Sequence, residues 1–190
     1  MRQIWIISDT HFGHENIIGY CNRPFDNALQ MDDFMLTAWN ETVADQDIVY
    51  HLGDVYMGAK GREILPKLKG RKRLILGNHD NGKDQNLHSN FQKIGVWRMW
   101  PEYGVLLTHV PVHASALTTP RKEQPDGLIN CHGHIHNKLV DPTVVWTTAD
   151  TWRMARDRYY NACVEWHNYK PFPIEQVKED IKNETRSDPS

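Results

Sequence analysis

Asp9-x-His11 and His134-x-His136 each set two metal-capable side chains two residues apart, and Gly133 allows close backbone approach beside the second pair. Asp54 follows Gly53, His109 follows the apolar run Val105-Leu-Leu-Thr108, and Asn78 leads Asn78-His79-Asp80. On an extended strand end, residues two apart point to one face, so each pair presents its donors together. Carboxylate, amide oxygen and imidazole, without thiolate, form a donor set that suits Mn, Fe, Zn, Co or Ni. Asp54, at a strand tip, is placed to bridge two cations. Two ions roughly 3.5–4 Å apart can bind both non-bridging oxygens of a phosphoryl group and hold a hydroxide between them. Coordination brings the pKa of water toward about 7, so a nucleophile exists at neutral pH. The leaving alkoxide still needs a proton. His79, beside Asn78 and not required as a ligand, is the candidate general acid, with Asp80 placed to orient its ring.

Taken singly, Asp9 or Asp54 reads as a turn or helix-cap residue, and His109 as a satisfied core histidine. Their positions along the chain argue otherwise. Short apolar runs at 4–7, 48–52, 74–76, 104–108, 128–131 and 162–166 read as buried strands. The first five run directly into Asp9 and His11, Asp54, Asn78, His109, and His134 with His136. Between them, Met31, Phe34, Met35, Ala38, Trp39 and Val43 form an apolar stripe at helical spacing. Shorter helices are expected around Ile64, Leu65 and Leu68, around Leu87, Phe91 and Ile94, and around Ile174, Val177 and Ile181. Strands alternating with helices predict an α/β domain, in which ligands gather beyond the carboxyl ends of the strands. The five tips therefore meet in one place.

Composition bounds the alternatives. The chain has 190 residues, 39% hydrophobic and 24% charged, an ordinary globular composition for one sizeable domain. We expect a single domain over 1–182, with loops or an insertion at 114–127 and 137–158 and a frayed tail at 183–190. A net charge of −2 counts against a strongly basic nucleic-acid binder. The basic run from Lys60 to Arg73 reads as a solvated helix face and turn, with nucleic-acid binding as the lesser alternative. Trp97, Trp100, Trp146 and Trp152 read first as core or subunit-interface residues, and second as platforms for a base. Three scattered Cys without CxxC spacing disfavour a disulfide framework and suit a reducing compartment. The first residues do not form a signal peptide and no apolar run is long enough to span a membrane, so a cytoplasmic protein is expected.

The ordered series Asp9-x-His11, Gly53-Asp54, Gly77-Asn78-His79-Asp80, His109 and Gly133-His134-x-His136 resembles the calcineurin-like metallophosphoesterase superfamily. Within it, Ser8-Asp-Thr-His-Phe-Gly-His-Glu-Asn-Ile17 followed by Tyr20-Cys-Asn-Arg-Pro-Phe25 is similar to the small bacterial and phage-type group. The stretch from Asn161 to Pro171 is similar to that group's last strand. The resemblance implies a two-sheet sandwich flanked by helices. It also implies two divalent ions, Mn foremost. Asp9, His11, Asp54 and His136 would hold one, and Asp54, Asn78, His109 and His134 the other. In many relatives a further polar residue follows the second motif soon after, whereas here Asp54 precedes Val55-Tyr56-Met57-Gly58, so substrate contacts do not carry over.

The expected activity is hydrolysis of a phosphomonoester or phosphodiester, with nucleotides and cyclic nucleotides as the favoured substrates. A nuclease acting on RNA or DNA is the first alternative, and a non-catalytic scaffold of the same fold the second; complete ligands and an intact His79 argue against the scaffold. His14 either touches the substrate phosphate or hydrogen-bonds a ligand. Asn16 either touches substrate or caps a helix. Arg23 is either a bidentate phosphate clamp or a surface arginine. His51, His113 and His132 flank the ligands without joining them. Oligomeric state stays open.

Overall fold

The computed structural model describes residues 2–117, 127–140 and 158–187. Ile4–Ile7 (β1) and Ile48–His51 (β2) are short runs rich in β-branched residues, which pack well on a pleated surface. They pair in parallel with each other and with Arg71–Ile75 (β3) and Lys93–Gly95 (β4). Phe172–Pro173 (β9) closes the far edge antiparallel to β1, giving the order β4-β3-β2-β1-β9. A second sheet runs Trp97–Trp100 (β5), Val105–Thr108 (β6), Ile129–His132 (β7) and Tyr159–Asn161 (β8), with only β5 antiparallel to its neighbour.

Strands β2 and β6 are buried along their whole length, as strands covered on both faces must be. Ile6, Tyr50 and Ile75 from the first sheet meet Val105, Leu107, Cys131 and Ala162 of the second in one core between the sheets. The other face of the first sheet, through Ile7, Val49 and Leu74, packs under the helices Glu15–Cys21 (α1), Ala28–Thr42 (α2) and Gln85–Asn90 (α4). A short helix, Gly58–Arg62 (α3), and a 3-10 turn at Leu65–Lys67 complete that layer. Helix α2 starts where the Asn27 side chain accepts from the Gln30 amide, and it buries Met31, Met35 and Trp39 at four-residue spacing. The C-terminal helix Gln176–Ser187 (α5) sends Val177 into the core between the sheets. No helix among the described residues is long and apolar enough to cross a membrane. The fold is α/β, two mixed sheets flanked by helices.

Several local expectations change. Ile94 does not extend α4; it pairs with Leu74 in the edge strand β4, because the helix ends at Asn90 and the chain returns to the sheet. The apolar run at 162–166 is not a strand. It contributes a single bridge from Cys163 to Ser8 and then a 3-10 turn at Val164–Trp166, which aims Glu165 inward. Strands β5 and β9 were not legible as apolar runs. The tail expected to fray from 183 is helical through Ser187. The basic run from Lys60 is not one solvated face: Lys72 is buried in β3 with its ammonium on the Leu68 carbonyl, 2.5 Å, and Arg73 donates to the Tyr50 hydroxyl. Trp146 and Trp152 lie outside the described residues.

Candidate metal centre

The carboxyl ends of β1, β2, β3, β6 and β7 lie side by side, and the candidate ligands occupy the turns that leave them. Strand alternation is not what turns Asp9 and His11, or His134 and His136, to the same place. Asp9, His11, Asp54, His134 and His136 all have left-handed backbones, with φ of 57, 50, 56, 73 and 49°. Such conformations cost about 1–3 kcal/mol each for residues with a Cβ and persist only where the surroundings enforce them. Here the amides of Asp9 and His11 donate to the carbonyls of Gly53 and Asp54, both at 3.0 Å. A Cβ at Gly133 would overlap Ser8 Oγ and Asp9 Oδ2, so only glycine lets β7 reach the end of β1.

Asp9 is fully buried. Its Oδ2 accepts from Ser8 Oγ at 2.5 Å, the His134 amide at 2.9 Å and Cys163 Sγ at 3.3 Å. Its Oδ1 is buried without a partner, 3.9 Å from His11 Nε2 and 3.8 Å from His136 Nε2. Nε2 of His11 is likewise buried and unpartnered. Asp54 Oδ1 accepts from the His79 amide at 2.9 Å, while its Oδ2 lies 3.6 Å from His11 Nε2 and 3.5 Å from His109 Nε2. One carboxylate oxygen thus stands between two groups of imidazoles. On the second side, Asn78 Oδ1 is 2.9 Å from His109 Nε2 and 2.8 Å from His134 Nδ1. Asp9, His11 and Asp54 offer ligand atoms within 4.8 Å of one another, and so do Asp54, His109 and His134.

Two rings are oriented from behind. Nδ1 of His109 donates to the Leu52 carbonyl at 2.8 Å, and Nδ1 of His136 faces Glu165 Oε1 at 3.1 Å. In both, the outward contact is made by Nδ1 and turns Nε2 toward the cluster, the orientation in which that nitrogen could serve a metal. Buried Asp9 Oδ1 and His11 Nε2, crowded among further carboxylate and imidazole atoms and without a hydrogen-bond partner, fit divalent cations, which satisfy such atoms without a hydrogen bond.

A profile of the calcineurin-like phosphoesterase superfamily domain matches residues 1–152. The chain belongs to the calcineurin-like phosphoesterase superfamily. An uncharacterised protein of Methanocaldococcus jannaschii is 36% identical to it over 181 residues, covering 93% of this chain and 90% of that protein. The gene 66 protein of Mycobacterium phage L5 is 30% identical over 167 residues, 74% of this chain and 80% of that one. The crystal structure of a protein of unknown function from Aquifex aeolicus aligns with a TM-score of 0.69 and 28% identity, over 94% of this chain and 99% of that chain.

In this member of the calcineurin-like phosphoesterase superfamily the floor of the site is buried and its open side is formed by exposed Asn78, His79 and His134. Burial pushes the Asp9 carboxyl up and the His11 imidazole down to about 2, each in the direction of its neutral form. Asp54 goes the other way. Burial would raise it, but the hydrogen bond and charge of His109 hold it down at about 2. His79 lies half-exposed with Nε2 4.0 Å from Asp54 Oδ2, at the edge of the cluster rather than in it.

Three expectations about neighbouring residues are corrected. Asp80 does not face the His79 ring; its carboxylate accepts from the amides of Asp54, Val55 and Gly77 at 2.8–3.0 Å and ties the β2 and β3 tips together. Of the two readings of Asn16 only the cap is excluded: the residue sits exposed in the first turn of α1, whose N-cap position is His14. Arg23 is neither a surface residue nor a free phosphate clamp. It is 4% exposed and its guanidinium is committed to the carbonyls of Asp9 and Thr10 and to Glu165. His14 lines the open side, its ring centroid 5.4 Å from that of His11 and its Nδ1 buried without a partner. His51 holds Thr10 Oγ1 at 2.9 Å, behind the ligands.

The residues that sequence reasoning missed are Glu165 and Cys163. The one available signal was an acid inside the apolar run Ala162-Cys163-Val164-Glu165-Trp166. Burial raises the Cys163 thiol well above its ordinary value, so it serves Asp9 as a hydrogen-bond donor and not as a thiolate.

Proposed function

We propose that this protein hydrolyses phosphate esters with two divalent ions bound across Asp54. The observation that carries the reading is Asp54 Oδ2 standing within 3.6 Å of imidazoles from both ligand groups, beside the orphaned Asp9 Oδ1 and His11 Nε2. Asp9, His11, Asp54 and His136 would hold one ion, and Asp54, Asn78, His109 and His134 the other. When bound, such ions supply Lewis acidity toward phosphoryl oxygens and lower the pKa of water.

The chain's own residues do the rest. The Asn78–His79 turn is fixed by the His79 amide on Asp54 Oδ1, which leaves the His79 ring free on the open side to pass a proton to the departing ester oxygen. Asp80 keeps the β2 and β3 tips in register, so Asp54 and Asn78 stay at fixed separation. His14, across from His79, is placed to donate to a phosphoryl oxygen. Nucleotides and cyclic nucleotides are the substrates we favour, and manganese the metal.

The test is hydrolysis of p-nitrophenyl phosphate and bis(p-nitrophenyl) phosphate by metal-stripped protein, with Mn, Ni, Zn, Fe or Mg restored one at a time. Metal-restored turnover of either ester supports the reading, and the better ester gives the monoesterase or diesterase preference. Silence with every metal, in protein shown to hold two ions, would overturn it in favour of a scaffold.

A further inference from the structure

Beside the second ligand group a cavity of about 590 Å³ opens to solvent between the β3 tip and the β5–β6 hairpin. That volume is in the range of pockets that hold small organic ligands. Its inner end is the metal-facing pair Asn78 and His109, and its outer rim is exposed Val96, Trp97 and Val110. The floor comes from strand register. Trp97 pairs with Thr108 and Met99 with Leu106 across the antiparallel ladder, so all four side chains share one face of the second sheet. The charged member of β5, Arg98, points to the opposite face, where it lies over the Trp100 and Tyr50 rings. Among the described residues that line the cavity there is no Asp, Glu, Lys or Arg.

We propose that this cavity is the subsite for one ester substituent, and that it selects a planar, uncharged aromatic group. The proposal rests on the phosphoesterase reading: a phosphoryl group seated at Asn78 and His109 directs one substituent along the cavity. A half-exposed Trp97 indole offers a stacking surface, and Met99 and Val112 offer apolar contact. An aryl ester and a nucleobase share that chemistry. A substituent carrying a second phosphate or a carboxylate finds no cation among these described residues and loses its hydration.

The experiment is calorimetric titration of the Mn-loaded protein with methyl-, benzyl- and 4-carboxybenzylphosphonate and a thymidine 5′-phosphonate. Benzylphosphonate should bind about ten- to a hundredfold more tightly than methylphosphonate, as burial of one aromatic ring implies. The added carboxylate should cancel that gain. Trp97→Ala and Val96→Asp, both at exposed rim positions, should each shrink the ratio of benzyl- to methylphosphonate affinity several-fold. Thymidine binding above benzyl would assign the subsite to a nucleobase, and below it to a simpler aryl ester. Equal affinity for methyl- and benzylphosphonate, or a preference that survives both variants, would overturn the subsite while the p-nitrophenyl assay still stood. No phosphonate binding together with no turnover would overturn the phosphoesterase reading, and the subsite with it.

Discussion

Arg23 and Glu165, 142 residues apart in sequence, form a buried ion pair at 2.7 Å directly behind the candidate metal centre. The same glutamate oxygen faces His136 Nδ1 at 3.1 Å, and the same guanidinium holds the Asp9 carbonyl at 2.7 Å. Two candidate ligands, one from each sheet, are thereby referenced to a single pair. The pair also explains how Asp9 keeps its left-handed backbone: its carbonyl is clamped by Arg23 and its amide by Gly53.

Glu165→Gln should weaken metal binding about ten- to a hundredfold, the usual effect of removing a carboxylate behind a histidine ligand. Competition titration against a chelator would read it. Arg23→Met should instead act on the fold, since it strands a buried carboxylate; a loss of about 3–5 kcal/mol is expected in denaturant melts. Unchanged metal affinity in the first variant would deny Glu165 its orienting role.

Asp54→Ala should leave neither ion well held, because one oxygen serves both groups. Elemental analysis of the purified variant is expected to give well under two ions per chain. Normal occupancy of both would rule out the bridge.

His79→Ala should keep both ions and slow turnover by about 10²–10⁴-fold, most strongly for esters with poor leaving groups. If metal content falls instead, His79 is a ligand and another group supplies the proton.

Asp32 gives a pH signature of the fold. Burial first, then the charge of Asp33, pushes its carboxyl from 3.8 up to about 6, although the Gly13 amide donates to it and works the other way. The folded state therefore holds a proton that the unfolded chain releases, and this group's contribution to stability falls as pH rises from about 4 to 6. Asp32→Asn removes that loss and can still accept from Gly13. The variant should match the parent below pH 4 and exceed it above pH 6 by about 1 kcal/mol, after discounting for solvent screening, or about 2–4 °C in Tm. Parallel Tm profiles at all pH values would contradict this.

Much of the molecule could be read from local pattern. Apolar runs of three to five residues leading into Asp, Asn or His marked β1, β2, β3, β6 and β7 and the candidate ligands at their tips, because a buried strand needs continuous apolar character and its end does not. The stripe through Met31, Met35 and Trp39 marked α2 for the same reason of burial. Edge strands were harder. Trp97–Trp100 and Phe172–Pro173 are covered on one side only or are very short, so they carry little hydrophobic signal.

What the sequence by itself determined was the type and order of the donors and the α/β frame that brings them to one edge, since residue chemistry and burial periodicity are local properties. Tertiary structure alone decided how those donors converge and what stands behind them. The left-handed turns at Asp9, His11, Asp54, His134 and His136 are enforced by hydrogen bonds between strand ends, and nothing in these residues' own preferences asks for them. Arg23 read as either a phosphate clamp or a surface arginine, and Asp80 as a histidine partner, until packing committed each to backbone or to Glu165. A hydrogen-bonding side chain has many possible partners along a chain. Which one it keeps is set by the distances that folding creates.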